Sequence, residues 1–254
     1  MLFNGVPYVN NIIKVITYSL KKQEMHTIGL IGGITPQSTI MYYQVLNNLA
    51  GTHYGENNSC KVIINSVNFA EISNLQKEDR WDTLDELMAE AGKSLELAGA
   101  RCVLICANTM HLTIDAVRKA VAIPVIHIAD ATAEKIIAKN ISQVALLGTK
   151  YTMEKDFYTK VLKSFGITAI TPSLEDRNTI HDIIYNELSK GILKDASKQV
   201  YLQIIDKLIK DGAEGVILGC TEIPLLIKQE DVSVPVFDTT TIHATKAFMD
   251  MQSI

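Results

Sequence analysis

The sequence predicts an α/β fold of two similar α/β subdomains with parallel sheets, and three observations support this. Short runs of continuous apolar, mostly β-branched residues recur along the chain, as in strands that are covered on both faces. Amphipathic helical patterns lie between these runs. Part of the pattern also occurs twice in the chain. The predicted strands are residues 27–31, 61–64, 103–106, 125–128, 144–147, 168–170, 216–218 and 234–237.

Two helices are predicted most clearly, at residues 82–97 and at about 197–210. In the first, apolar residues recur at intervals of three and four, which places them on one face. Gly99 and Gly212 follow these helices, and glycine is the residue that most often ends a helix. A predicted strand begins shortly after each glycine. This alternation is typical of parallel sheets with helices packed on their faces.

The composition excludes several classes of protein. The 254 residues are 47% apolar and 20% charged, which is typical of a globular chain. The net charge is −4, from 24 basic and 28 acidic residues, and the basic residues form no cluster, so we expect no nucleic-acid partner. We also expect no membrane span, since no apolar run reaches 18 residues. Four scattered cysteines predict reduced thiols in the cytoplasm, with no disulfide framework and no metal site.

The chain is predicted to divide into an extension and two subdomains. Residues 1–24 hold only a short, polar-interrupted apolar stretch, and we interpret them as an N-terminal extension outside the fold, with a signal peptide improbable. The first subdomain is predicted to comprise residues 25–123 plus 238–254, and the second residues 124–237. In duplicated α/β folds, ligands bind at the carboxyl ends of the strands. We therefore expect one active site between the subdomains.

The internal repeat singles out two positions. Residues 99–109 match residues 212–222, and residues 28–33 match residues 144–149. Ala107 and Cys220 occupy the same column of this repeat, so we expect them to face each other across the cleft. Cys220 lies at a strand-to-helix turn, where free backbone N–H groups favour a thiolate. The alternative is a buried structural cysteine, which is the interpretation for the other three thiols, Cys60, Cys102 and Cys106.

Small polar residues follow several of the predicted strands, at 32–39, 108–111 and 148–152. These loops lack both GxGxxG and GKS/T, so nucleotide binding is not indicated. A helix N-terminus in one of them could hold a carboxylate, whereas each serine or threonine could equally be a helix cap. His111 and His127 are interpreted as structural histidines.

From Met25 onward, the chain resembles the cofactor-independent aspartate/glutamate racemase superfamily, especially its bacterial broad-specificity members. The resemblance is carried by IGLIGG at 28–33, ST at 38–39, YY at 42–43, NTMH at 108–111, HIADAT at 127–132, ALLGT at 145–149, YTME at 151–154 and GCTEI at 219–223. It implies racemisation of aspartate or glutamate without PLP or metal, by a homodimer. Two groups on opposite faces of Cα would remove and return the proton.

The resemblance also implies roles for individual residues. Cys220 would be one acid/base. Asn108, Thr109 and Thr221 would hold the α-carboxylate and the amino group. Weaker assignments, to the remaining substrate contacts, are Ser38, Gln76, Thr149, Thr152 and the Ile34 backbone.

The chain departs from the family at the second catalytic position. That position is usually Cys or Thr, and here it is Ala107, whose methyl group can neither donate nor accept a proton. Several alternatives stay open. Water, Thr109 or His111 substitutes for the missing group, or the chain carries an engineered inactivating substitution. Otherwise Cys220 alone performs a decarboxylation or isomerisation of a small dicarboxylate, or the protein is an inactive module that binds acidic amino acids.

Overall fold

The computed structural model describes residues 25–253, and the expected N-terminal extension at residues 1–24 lies outside them. The first half contains a three-stranded parallel sheet in the order β2-β1-β3. In the register of this sheet, Ile28 of the central strand lies between Val62 and Cys102. Its strands are β1 (Ile28–Gly32), β2 (Val62–Ser66) and β3 (Cys102–Ile105), with helices α1 (Pro36–Tyr54), α2 (Phe69–Lys77), α3 (Trp81–Leu97) and α4 (Ile114–Ala120) and a 3₁₀ helix at Thr109–Thr113.

The second half contains a four-stranded parallel sheet in the order β5-β4-β6-β7. The two parallel sheets confirm the predicted fold class. The elements are β4 (Gln143–Gly148), β5 (Thr168–Ile170), β6 (Val216–Gly219) and β7 (Val236–Asp238), helices α5 (Ile128–Ile137), α6 (Lys150–Glu154), α7 (Asp156–Ser164), α8 (Leu174–Asn186), α9 (Asp195–Lys210), α10 (Ile223–Leu226) and α11 (Thr239–Gln252), and 3₁₀ helices at Leu188–Lys190 and Gln229–Asp231.

One predicted strand, at residues 125–128, is wrong. Val125 forms only an isolated parallel bridge with Val103, and α5 already begins at Ile128. His127 ends the extended segment because its Nδ1 accepts a hydrogen bond from the Ala129 N–H at 3.0 Å, which caps the helix. Asp238 performs the same task in the other half, where it caps α11. The repeat therefore preserves a helix cap at this position rather than a long strand.

The chain crosses between the halves twice. Helix α5 packs on the second sheet, where Ala129 and Ile136 join the core cluster of Leu146. Helix α11 returns to the first sheet, where Phe248 joins the cluster of Ile28. The two helices also contact each other. The expected subdomain boundaries at 123–124 and 237–238 fall close to the starts of these two helices.

Glycines allow close approaches at the carboxyl ends of the strands. Gly33 has a φ of +85°, and a Cβ built there would lie 2.1 Å from the Val67 carbonyl oxygen. A Cβ on Gly148 would lie 2.7 Å from the Gly219 carbonyl oxygen. Only glycine fits such positions without a shift of the backbone. The loops that follow β1, β4 and β6 all contribute residues to one cleft.

None of the helices in residues 25–253 is both long enough and apolar enough to cross a membrane.

Candidate active site

A cleft opens where the strands of both sheets end. Ala107 lies just after β3 and Cys220 just after β6, and both line this cleft, as the repeat predicts. Six more residues from the sequence analysis line it with them: Ile34, Gln76, Asn108, Thr109, Thr149 and Thr221. No individual role was predicted from the sequence for the remaining lining residues, which are Thr35, Phe69, Ile184, Tyr185, Ser189, Gly219 and Glu222.

Ser38 and Thr152 lie behind the cleft wall rather than on it. Both are fully buried. The Ser38 hydroxyl donates to the backbone carbonyl oxygen of Cys106, next to Ala107. Thr152 Oγ1 lies 3.3 Å from Thr149 Oγ1 and 3.4 Å from Thr109 Oγ1. These two side chains therefore hold cleft-lining segments in place.

Thr109, Thr149 and Thr152 form a cluster of three buried hydroxyls that joins the halves. Thr109 comes from the first half, and its Oγ1 lies 2.9 Å from Thr149 Oγ1 of the second. Thr149 also caps α6, since its Oγ1 accepts from the Thr152 N–H. A hydroxyl can donate and accept at once. A cluster of hydroxyls can therefore turn its hydrogens toward an anionic ligand.

Asn108 presents an acceptor that has no partner. Its Nδ2 donates to Thr239 Oγ1 at 3.0 Å, whereas its Oδ1 is buried and accepts no hydrogen bond within the described residues. Leaving a buried polar atom unpaired costs about 1–3 kcal/mol. The unpaired atom belongs to a residue on the cleft wall, so a ligand N–H group could satisfy it.

Cys220 is hydrogen-bonded to a carboxylate. Its Sγ donates to Glu222 Oε2 at 2.9 Å, and Thr221 Oγ1 donates to the same oxygen at 2.8 Å. The other oxygen, Oε1, accepts from Thr35 Oγ1 at 2.5 Å, so the first half also contributes. Glu222 is only 3% exposed. Its two oxygens thus accept three hydrogen bonds inside the cleft wall.

These neighbours determine the protonation of Cys220. Burial raises the pKa of the Cys220 thiol well above its usual range, and the charge of Glu222 and the hydrogen bond to it raise this pKa further. The backbone N–H groups of Thr221 and Glu222 lower the pKa, but they do not outweigh burial and the carboxylate. The expectation that the turn favours a thiolate is therefore wrong, because the Cys220 thiol holds its proton.

The internal repeat held the signal that could have identified Glu222. Glu222 occupies the same column of the repeat as Thr109, but of these two residues only Thr109 was predicted from the sequence to belong to the site. Tyr185, Ser189, Phe69 and Ile184 offered no such signal. They come from α2, α8 and the short 3₁₀ helix after α8, which no motif marks as part of a site.

Gln76 connects the two halves at the cleft. Its Oε1 accepts from Tyr185 Oη and its backbone carbonyl oxygen accepts from Tyr151 Oη, both at 3.3 Å. Its Nε2 donates to Met110 Sδ at 3.1 Å. Trp81 packs edge-on against Tyr151, with 5.8 Å between the ring centroids. Both polar atoms of the Gln76 side chain thus already have hydrogen-bond partners within the protein.

The histidines at the junction are structural, as expected. The His111 ring lies 4.9 Å from that of His127 and 5.4 Å from that of His243. His111 Nδ1 donates to the Ala107 carbonyl oxygen, and His111 Nε2 accepts from the Ile128 N–H. Burial lowers the pKa of His111 to about 4. Both ring nitrogens are thus in use, and His111 does not line the cleft.

The other three cysteines are packed in the core of the first half, together with Leu104. Cys106 belongs to this cluster, whereas Ala107 belongs to the cluster on the other side of the sheet. Consecutive residues of an extended segment point to opposite faces, which explains this difference. Within residues 25–253, no three His, Cys, Asp or Glu side chains form a group that could hold a metal ion.

Comparison with known proteins gives a consistent result. Residues 31–247 match the family model of the Asp/Glu/hydantoin racemases. A crystal structure from Yersinia pestis, described as that of a candidate Asp/Glu racemase, is similar, with 44% identity and a TM-score of 0.83, over 89% of this chain and 99% of that one. An aspartate racemase homologue from Pyrococcus horikoshii is 40% identical, with a TM-score of 0.79, over 91% of this chain and all of that one.

A curated relative is more distant in sequence. The broad-specificity amino-acid racemase RacX of Bacillus subtilis is 20% identical over 227 residues, which are 85% of this chain and 94% of RacX.

Proposed function

The chain belongs to the Asp/Glu/hydantoin racemase family, and from this premise we propose that it racemises an acidic amino acid, aspartate or glutamate, without PLP. It is an isomerase of the amino-acid racemase class. Cys220 is the proton-transfer group in this proposal. The observation that carries the proposal is the placement of Cys220 and Ala107, from equivalent positions of the two halves, on the wall of one cleft.

The cleft supplies partners for the α-substituents of an amino acid. Thr109 and Thr149 are the hydroxyls assigned to the α-carboxylate, since both line the cleft and each can donate. The unpaired Asn108 Oδ1 is assigned to the α-ammonium group, which has only donors. The assignment of Thr221 as a direct ligand is replaced by an indirect role, because its hydroxyl donates to Glu222.

Cys220 requires a proton acceptor before it can act as a base. The thiol holds its proton and donates to Glu222 Oε2 at 2.9 Å. We propose that the Glu222 carboxylate first takes the proton of the Cys220 thiol. The resulting thiolate then takes the proton from Cα. The reverse transfers return a proton to the same face of Cα. Proton transfer by a positioned group typically contributes about 10²–10⁴-fold to the rate.

The opposite face has no such group. Ala107 offers only a methyl group there. Of the proposed substitutes, Thr109 lines the cleft, whereas both His111 nitrogens are hydrogen-bonded away from it. The Thr109 hydroxyl is already assigned to the α-carboxylate, so we rank a water molecule above both residues as the second proton carrier. Water is a weak acid and a weak base, so inversion should be slow compared with exchange on the Cys220 side.

Incubation of the protein with L- or D-aspartate and with L- or D-glutamate in heavy water tests the proposal. We expect one enantiomer to exchange its α-proton for deuterium faster than it inverts, and Cys220→Ala to abolish exchange. Calorimetric binding without exchange would instead indicate an inactive binding module. Consumption of a small dicarboxylate would indicate a decarboxylase or an isomerase. Fast inversion of both enantiomers would show that another group already fills the second role.

Assembly as a homodimer and location in the cytoplasm remain predictions that accompany this proposal. Sedimentation analysis tests the first of them.

A further inference from the structure

We propose that Thr35 is a positioning residue for proton transfer at Cys220. Its hydroxyl, which belongs to the first half, holds one oxygen of the Glu222 carboxylate so that the other oxygen stays at the thiol. This inference rests on the proposed racemase function and deepens it, because it concerns how the acid/base is held. Three features carry it: the separate partners of the two Glu222 oxygens, the fixed place of Thr35 before α1, and the crossing of the bond between the halves.

The two oxygens of Glu222 have different partners. Oε2 accepts from the Cys220 thiol at 2.9 Å and from the Thr221 hydroxyl at 2.8 Å. Oε1 accepts from the Thr35 hydroxyl at 2.5 Å, and within residues 25–253 no backbone N–H group and no second side chain donates to it. An ionised carboxylate only accepts hydrogen bonds, so Thr35 is the donor. Without Thr35, a buried charged oxygen would lack a partner, and the carboxylate would turn to regain one.

Thr35 is itself held at several points. It lies immediately before α1, which begins at Pro36, and it is only 4% exposed. Its Oγ1 accepts from the Ser38 N–H at 3.3 Å, and its carbonyl oxygen accepts from the Thr39 hydroxyl at 3.1 Å. The Thr35 hydroxyl therefore uses a lone pair to cap the helix and its single hydrogen for Glu222. Because the cap fixes the direction of this donor, the start of α1 sets the position of the carboxylate.

The bond between Thr35 and Glu222 crosses from one half to the other. Thr35 follows β1 of the first half, whereas Glu222 follows β6 of the second. The acid/base pair of the second half is thus completed by a donor from the first. Within the first turn of the same helix, the Ser38 hydroxyl donates to the carbonyl oxygen of Cys106, next to Ala107. The start of α1 is therefore bonded to both sides of the cleft.

Thr35 also lines the cleft, so direct binding of the substrate is the alternative role. A threonine hydroxyl has one hydrogen, and Glu222 accepts it, so Thr35 has none left for a substrate carboxylate. Its effect should fall on the transfer of the proton from Cys220 to Glu222 rather than on binding. A displacement of about 1 Å at a reacting group can lower a rate about 100-fold. We therefore expect loss of the Thr35 hydroxyl to lower kcat and to leave KM unchanged.

Thr35→Val and Thr35→Ser separate the hydroxyl from the rest of the side chain. Valine has the shape of threonine without the donor, whereas serine keeps the donor. The kcat and KM of α-proton exchange are measured in heavy water with aspartate and glutamate, and dissociation constants are measured by calorimetry. We expect Thr35→Val to lower kcat on the order of 10- to 100-fold with KM and the dissociation constant unchanged. Thr35→Ser should exchange like the unaltered protein.

Ser173→Ala is the control for the loss of a helix cap. Ser173 is exposed and caps α8, since its Oγ accepts from the Asp176 N–H at 3.2 Å. The variant should leave kcat unchanged. If it lowers kcat as much as Thr35→Val does, loss of a cap explains both effects and the inference is overturned.

A second measurement does not depend on turnover. Glu222 keeps the proton on the Cys220 thiol through its charge and its hydrogen bond, so a displaced carboxylate should leave the thiol easier to ionise. Labelling of Cys220 by iodoacetamide should therefore rise in Thr35→Val. In the Glu222→Gln background the same substitution should give no further rise, since no carboxylate is left to displace. If Thr35→Val does not fold, as judged by thermal denaturation, Thr35→Ala replaces it in both measurements.

The outcomes separate this inference from the proposed function. If Thr35→Val raises KM with kcat unchanged, or changes neither kcat nor labelling, the inference is overturned and the racemase function stands. A loss of kcat that serine does not restore, or a rise in labelling that is equally large in the Glu222→Gln background, also overturns it. If no amino acid exchanges its α-proton in the unaltered protein, the racemase function fails, and the labelling of Cys220 alone decides whether Thr35 positions Glu222.

Discussion

At the scale of single residues, the contact between Cys220 and Glu222 controls the reactivity of the thiol. Cys220 should react with iodoacetamide faster than Cys102 and Cys106, because it lines the cleft and they are fully buried in the core. Bound substrate should protect it. Labelling of each cysteine is measured by peptide mass spectrometry, in which Cys102 and Cys106 serve as internal controls. Equal labelling of these three thiols would contradict an active site at Cys220.

Glu222→Gln should increase the labelling of Cys220 near pH 8. The charge of Glu222 and its hydrogen bond both raise the pKa of the thiol, so removing the charge lowers this pKa and increases the thiolate fraction. Each unit by which the pKa falls gives about tenfold more thiolate at a pH below it. A labelling rate that is the same in both proteins would show that burial alone sets the pKa.

Ala107 is the second position where one side chain decides the chemistry. Ala107→Thr or Ala107→Cys should raise the rate of inversion by about 10²–10⁴-fold, since each restores a group that can carry a proton. Ala107→Val is the matched control, because it has the shape of threonine without the hydroxyl. The rate is followed by chiral chromatography. An equal gain with valine would mean that packing, not proton transfer, limits the unaltered protein.

At the scale of elements, the turn after β1 depends on Gly33. Gly33→Ala should destabilise the protein by several kcal/mol, since it combines a positive φ with a Cβ placed 2.1 Å from the Val67 carbonyl oxygen. Gly99→Ala has a similar φ of +97° but nothing within 4 Å of the new Cβ, so it should cost only about 1–2 kcal/mol. Thermal denaturation of both variants measures the difference. Equal melting temperatures of the two variants would show that a Cβ at position 33 does not clash with the Val67 carbonyl oxygen.

The elements also show what the sequence could reveal. Apolar runs predicted β1 and β6 within one or two residues, because buried parallel strands have a strong compositional signature. The run at 125–128 was misleading, since its last residue starts a helix that His127 caps. Alignment of the two halves of the sequence was enough to predict that Ala107 and Cys220 lie at the cleft. Tyr185 could not be placed there in this way, because only the folded chain brings α8 to the cleft.

At the scale of the whole molecule, three buried histidines make stability depend on pH. Burial lowers the pKa of His111, His127 and His243 to about 4, 2 and 3, below the value of about 6.5 in an unfolded chain. Below pH 6.5 the unfolded state therefore binds protons that the folded state does not. Their contribution is complete above pH 6.5 and is lost as the pH falls, at about 1.4 kcal/mol per pH unit for each histidine.

Urea unfolding between pH 6.5 and pH 5 tests this. The free energy of unfolding should fall by up to about 4 kcal/mol per pH unit from the three histidines together. His127→Asn should reduce this slope by about one third, because asparagine can still cap α5 and does not titrate. An unchanged slope in the variant would show that His127 is already protonated in the folded protein.

The two chain crossings at α5 and α11 have a mechanical consequence. Bodies that are tied together at two neighbouring points can turn only about the line through those points. The histidine cluster of His111, His127 and His243 lies beside these crossings, whereas the bonds of Gln76 to Tyr151 and Tyr185 join the halves at the cleft. A rotation of one half about the crossings would therefore stretch the Gln76 bonds while it left the histidine cluster in place.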